Sequence, residues 1–148
     1  YGVGSAFGGE KEKDAPAMAK KQARAELKSQ LTGWIEAANG RMTGEMLEYF
    51  QDGEKAAASF FRRATQDLAS AVAERGEVRS RWNCGVTDEA FSLMAVPEAR
   101  MAAMYRKHVA EMAKKKGKDV LKIKPAEFAS MLRRKDLKGS GPTGDLTK

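Results

Sequence analysis

Side chains able to do chemistry are scarce: 148 residues hold one cysteine, Cys84, and one histidine, His108. A structural zinc site takes about four nitrogen or sulfur ligands, so a single chain cannot build a Cys/His zinc centre, and a lone cysteine cannot close an intrachain disulfide. A Ser-His-Asp triad would have to use His108, and no Gly-x-Ser-x-Gly turn is present to raise its nucleophile. A phosphate-cradling Gly-x4-Gly-Lys-Ser/Thr loop is also missing. Asp88 and Glu89 are adjacent in a predicted loop, but no second acidic pair faces them, so calcium binding and paired-carboxylate catalysis lack support. Arg79 and Arg81 lie near Cys84 in sequence, yet strand alternation aims them at the opposite face, where they do not activate a thiolate. Cys84 therefore reads as a structural thiol, with an intermolecular disulfide as the alternative. The expectation is a non-enzymatic protein with no catalytic residue, metal or cofactor.

Hydrophobic periodicity supplies the elements around these residues. Tyr1, Val3, Ser5 and Phe7 alternate with Gly2, Gly4 and Ala6, the period-two pattern of a strand whose second face lies close to another backbone. Asp14 is placed to cap a helix over 14–31 carrying Ala19, Ala23, Leu27 and Leu31 as a narrow apolar stripe. Thr32-Gly33 and Asn39-Gly40 interrupt that pattern. The stretch 34–47 fits a continued helix or a strand, and a strand is expected for part of it. Ala57, Phe60, Phe61, Ala64, Leu68, Ala71 and Val72 make one face of a helix over 54–75. Val78, Ser80, Trp82 and Cys84 alternate before an apolar run from Ala90 to Val96, which predicts a hairpin over 77–96. Trp82 and Leu93 are expected in the core between that hairpin and the helices. Pro97 then opens a third helix over 97–115. Together these predict an α+β domain, a small, mainly antiparallel sheet covered by two to three helices.

One face of the third helix carries Met101, Met104, Tyr105, His108 and Met112, and the chain has eight methionines in all. Methionine adapts to irregular apolar surfaces, partner-binding ones included. These five residues, with Phe128, Met131 and Leu132 further on, are the candidate interface residues. His108 reads as a packing or interface histidine on that face.

The formal net charge is +7, all of it in the C-terminal segment. Residues 114–148 hold eleven basic and four acidic side chains, whereas residues 1–113 hold sixteen of each. Lys114, Lys115, Lys116, Lys118, Arg133, Arg134 and Lys135 form the core of this basic tail. The predicted organisation is a folded domain over 1–116 and a basic, partly flexible extension over 117–148. Such a tail suits nucleic acid, an anionic surface or an acidic partner. Phe128 is the one aromatic residue in it, and single-strand readers need several stacking platforms, so nucleic acid is the disfavoured partner.

Three segments in sequential order carry a family resemblance. They are the opening Tyr1-Gly2-Val3-Gly4-Ser5-Ala6 strand, the Ala23-Arg24-Ala25-Glu26-Leu27 helix segment, and Trp82 followed across a turn by Leu93-Met94-Ala95-Val96. The chain resembles the bacterial Lpp-twenty lipoprotein family, envelope and flagellum-associated outer-membrane lipoproteins, over about residues 1–113; the basic tail has no counterpart in that pattern. The resemblance implies an extracytoplasmic structural or assembly protein that forms homo-oligomers and meets other envelope or outer-membrane proteins. The chain has no initiator Met and opens inside a strand, so it reads as a mature or trimmed product, with any targeting segment or lipid anchor upstream of Tyr1. The competing expectation is a cytoplasmic, basic-tailed module binding nucleic acid or an acidic partner.

Overall fold

A computed structural model describes residues 1–7, 14–86 and 89–116. The elements run β1 (Gly2–Phe7), α1 (Ala15–Glu45), a 3-10 turn (Leu47–Tyr49), α2 (Gly53–Ala64), α3 (Leu68–Glu74), β2 (Glu77–Cys84), β3 (Glu89–Ala95) and α4 (Glu98–Lys115). The strands form one antiparallel sheet in the order β1-β3-β2, so the expected α+β class holds. The N-terminal half of α1 lies over β1 and β3, and its C-terminal half packs with α2, α3 and α4.

Helix and sheet meet backbone to backbone. A Cβ on Gly4 would overlap the Ala19 carbonyl oxygen and the Ala23 amide nitrogen; on Gly2 it would overlap the Ala23 carbonyl oxygen and the Leu27 nitrogen. Ala19 and Ala23 are fully buried at this contact. Small residues on both elements let α1 sit closer to β1 than side chains would permit. The Gly-x-Gly strand and the Ala-x3-Ala helix of the sequence are thus two halves of one contact.

The strand expected within 34–47 is not there. The α1 helix runs unbroken to Glu45, because the buried stripe continues through Leu31, Ile35, Ala38 and Met42. Gly33, Gly40 and Gly44 fall on the solvent side, where a Cβ would meet nothing within 4 Å. Each costs about 1 kcal/mol of helix propensity against alanine, and the burial of Leu31, Ile35 and Met42 outweighs that. Asp14 occupies the N-cap position as expected, but its side chain makes no capping bond.

The single helix expected over 54–75 is two, broken at Thr65–Asp67. The Thr65 hydroxyl donates to the Phe61 carbonyl at 2.8 Å, a local bond that competes with helix continuation. Phe60 and Phe61 are buried, packed edge-on with centroids 5.3 Å apart and with Phe50 completing the cluster.

The hairpin is where it was expected, but Trp82 and Leu93 are not in the core. Trp82 is 43% exposed and Leu93 only half-buried. Leu93 alternates with buried Ser92 and Met94 along β3, so it lies on the side away from α1; for Trp82 the cause is a bulge, because Val78 pairs with Met94 while Ser80 pairs with Leu93, so the register slips between them. One extra residue inverts the phase of a strand. Val78 shares the α1 side of the sheet with buried Met94, and Ser80 and Trp82 point to the other side.

Candidate interaction site

Among the described residues the sheet has a layer of helix on one face, and its other face is open. Alternation and register place Val3 on β1, Phe91 and Leu93 on β3, and Ser80 and Trp82 on β2 together on the open face. Val3 is 51% exposed and sits opposite Leu93. Trp82 lies opposite Phe91, with ring centroids 5.2 Å apart and planes 3° from parallel. Cross-strand aromatic pairs of this kind stiffen a sheet, and here the pair also forms a flat apolar surface facing solvent. Cys84 and Glu89 end the face on one side. Glu77 ends the other, bonded to Arg79 at 3.3 Å and to Arg100 at 3.5 Å.

The candidate residues of α4 point inward. Met101 and Tyr105 are buried in the chain's own core, and Met104 and Met112 pack against that core, half-buried. The methionine face expected to meet a second copy is thus largely satisfied within one chain by α1, α2 and α3, and Met101 and Tyr105 offer a partner no surface. His108 is half-buried on the same helix. Lys114, Lys115 and Lys116 are exposed at its C-terminal end, where cations complement the helix dipole. Phe128, Met131, Leu132, Lys118, Arg133, Arg134 and Lys135 lie outside the described residues.

Sequence reasoning missed the open face, though a signal for it was present. The run Ala90–Val96 is apolar at every position but Ser92, and a strand apolar on both sides asks for cover on both sides. Ala90, Ser92 and Met94 are covered by α1; Phe91 and Leu93 are not.

A polar cluster joins the helices. The Tyr105 hydroxyl donates to Asn39 Oδ1 at 2.9 Å, and Asn39 Nδ2 donates to Thr65 Oγ1 at 2.9 Å. It borders a groove of about 320 Å3 between α1 and the α2–α3 junction, with Ile35, Arg62 and Arg63 in its walls. The Thr65 hydroxyl already gives its proton to a carbonyl, so it is not poised as a nucleophile. Burial holds the Tyr105 phenol well above its ordinary value of 10.0. The native state therefore keeps a proton that the unfolded chain releases near pH 10, and stability present below that pH is lost as pH rises further. Tyr105→Phe should flatten the fall in melting temperature between pH 9.5 and 11. Equal slopes for the variant and the parent would contradict this.

Among the described residues, no group of three or more His, Cys, Asp or Glu side chains is arranged to hold a metal. No described helix is long and apolar enough to cross a membrane. Comparison with family models, with curated proteins and with solved structures finds no match.

Proposed function

We propose that this protein is a non-enzymatic structural or assembly component of the bacterial cell envelope that works by association of its own copies. The observation that carries this reading is the sheet face away from α1, where Val3 and Trp82 are about half exposed beside half-buried Phe91 and Leu93. Contiguous exposed apolar patches on a folded chain mark interaction surfaces more often than chance decoration. The resemblance of the Tyr1–Ala6, Ala23–Leu27 and Trp82…Val96 segments to the Lpp-twenty lipoproteins supports the envelope setting.

The +7 of segment 114–148 favours a second reading, a module that docks on a polyanion through its tail. Cross-linking in intact cells followed by fractionation separates the two. The assembly reading expects the chain in the envelope fraction as cross-linked multimers of itself. Recovery as a soluble monomer, or with nucleic acid that high salt removes, would overturn it.

A further inference from the structure

We infer that Asn39-Gly40 is a modification site gated by the fold, an asparagine that deamidates only in chains whose Asn39 cluster has opened. The chain has two asparagines, Asn39 and Asn83, and Asn39 alone precedes a glycine. An Asn-Gly bond is prone to intramolecular deamidation, because the attacking glycine nitrogen has no neighbouring Cβ to hinder it. Base removes the Gly40 amide proton, and the nitrogen attacks Asn39 Cγ. The bond from Cγ to the side-chain nitrogen breaks, ammonia leaves, and a five-membered succinimide remains. Water then opens the ring at either carbonyl, giving aspartate or isoaspartate. The one co-reactant is water, and Gly40 is exposed to it on the solvent side of α1.

The folded chain holds this reaction back by conformation. Residues 39 and 40 lie inside α1, so the Gly40 N–H is given to the residue 36 carbonyl, and a helical ψ of about −42° keeps the nitrogen away from Cγ. The side chain is also held at both polar atoms: Oδ1 accepts from the Tyr105 hydroxyl at 2.9 Å, and Nδ2 donates to Thr65 Oγ1 at 2.9 Å. Attack turns Cγ onto its own backbone, so both bonds and the local helix must open first. Tyr105 and Thr65 are buried, so that opening also loosens α4 and the α2–α3 junction from α1. Such openings are rare in a folded chain, and the rate follows their population. The product does not close the cluster again. A carboxylate at residue 39 has no proton to donate to Thr65, whose own proton is on the Phe61 carbonyl, so two acceptors face each other. Isoaspartate does more: it adds a methylene to the backbone inside a 31-residue helix, and shifts Leu31 and Ile35 out of step with Met42. A modified chain opens more often than its parent, so the modification marks chains that have lost the cluster or never made it.

Incubation of the intact chain at mildly alkaline pH, folded in buffer and unfolded in guanidinium chloride, tests this. Peptide mapping by mass spectrometry and an isoaspartate assay read the conversion. The unfolded chain should convert residue 39 well ahead of Asn83, and the folded chain should convert it at least about thirtyfold more slowly. Tyr105→Phe keeps the ring and removes the hydrogen bond. It should raise the folded rate about fivefold and leave the unfolded rate unchanged, with far-UV circular dichroism confirming that the variant folds. Equal rates in the folded and unfolded parent would overturn the gate. Conversion of Asn83 ahead of residue 39 in denaturant would overturn the site. A folded Tyr105→Phe chain that converts at the parent's rate would remove the Tyr105 bond from the gate.

Discussion

Gly4→Ala is expected to lose about 3–5 kcal/mol of stability, among the largest effects of any single methyl in this chain. The added Cβ has no side chain to push aside, because its neighbours are the Ala19 carbonyl oxygen and the Ala23 amide nitrogen of α1. Backbone atoms of a helix move only if the whole helix moves. Separating α1 from β1 also opens the contact of β3 with α1, since Gly4 pairs with Ser92 and Gly2 with Met94. Gly40→Ala is the matched control on the same long helix, with nothing within 4 Å of the new methyl. It should raise stability by about 0.5–1 kcal/mol through helix propensity and a less flexible unfolded chain. Thermal unfolding followed by circular dichroism reads both. A Gly4→Ala melting temperature within a degree or two of the parent would mean that helix and strand are not in backbone contact.

Asn39→Leu should cost about 2–4 kcal/mol, roughly 5–12 °C in melting temperature for a domain of this size. Asn39 connects three helices: it accepts from Tyr105 of α4 and donates to Thr65 between α2 and α3. Leucine fills similar space but removes the acceptor of a hydroxyl on a fully buried tyrosine, and a buried donor that loses its acceptor keeps its desolvation cost. Tyr105→Phe should therefore be much less harmful in the Asn39→Leu background than in the parent. The double-mutant cycle should show a coupling of about 1–2 kcal/mol. Additive losses would show that the two side chains contribute independently, and that packing of the residue 39 side chain, not the hydrogen bond, sets the cost.

The open face and the Asn39 cluster differ in how far each could be read from the residues. Phe91 and Leu93 already stood in an apolar run long enough for both sides of a strand, so the demand for cover was visible. The polar cluster had no such signal, because Asn39-Gly40 is also what a turn looks like. In a helix of 31 residues the same pair puts the amide between α4 and the α2–α3 junction and the glycine in solvent.

The local order of elements was determined by the chain alone. The Gly-x-Gly strand, the alanine stripe of α1, the paired phenylalanines of α2, the hairpin and the proline that opens α4 each carry their own periodicity or punctuation, and each reads within about ten residues. Three things depended on tertiary structure. Whether 34–47 would be helix or strand was settled by the burial of Ile35, Ala38 and Met42 against other helices, which outweighs the local preference of three glycines. The division of 54–75 into α2 and α3 accompanies a bond from Asn39 of another helix to Thr65. The face taken by Trp82 was settled by a bulge that exists only in the pairing of β2 with β3. A sequence pattern gives the period of a strand, but its phase relative to the core is a property of the partner strand, and one inserted residue moves an aromatic side chain from the interior to the surface.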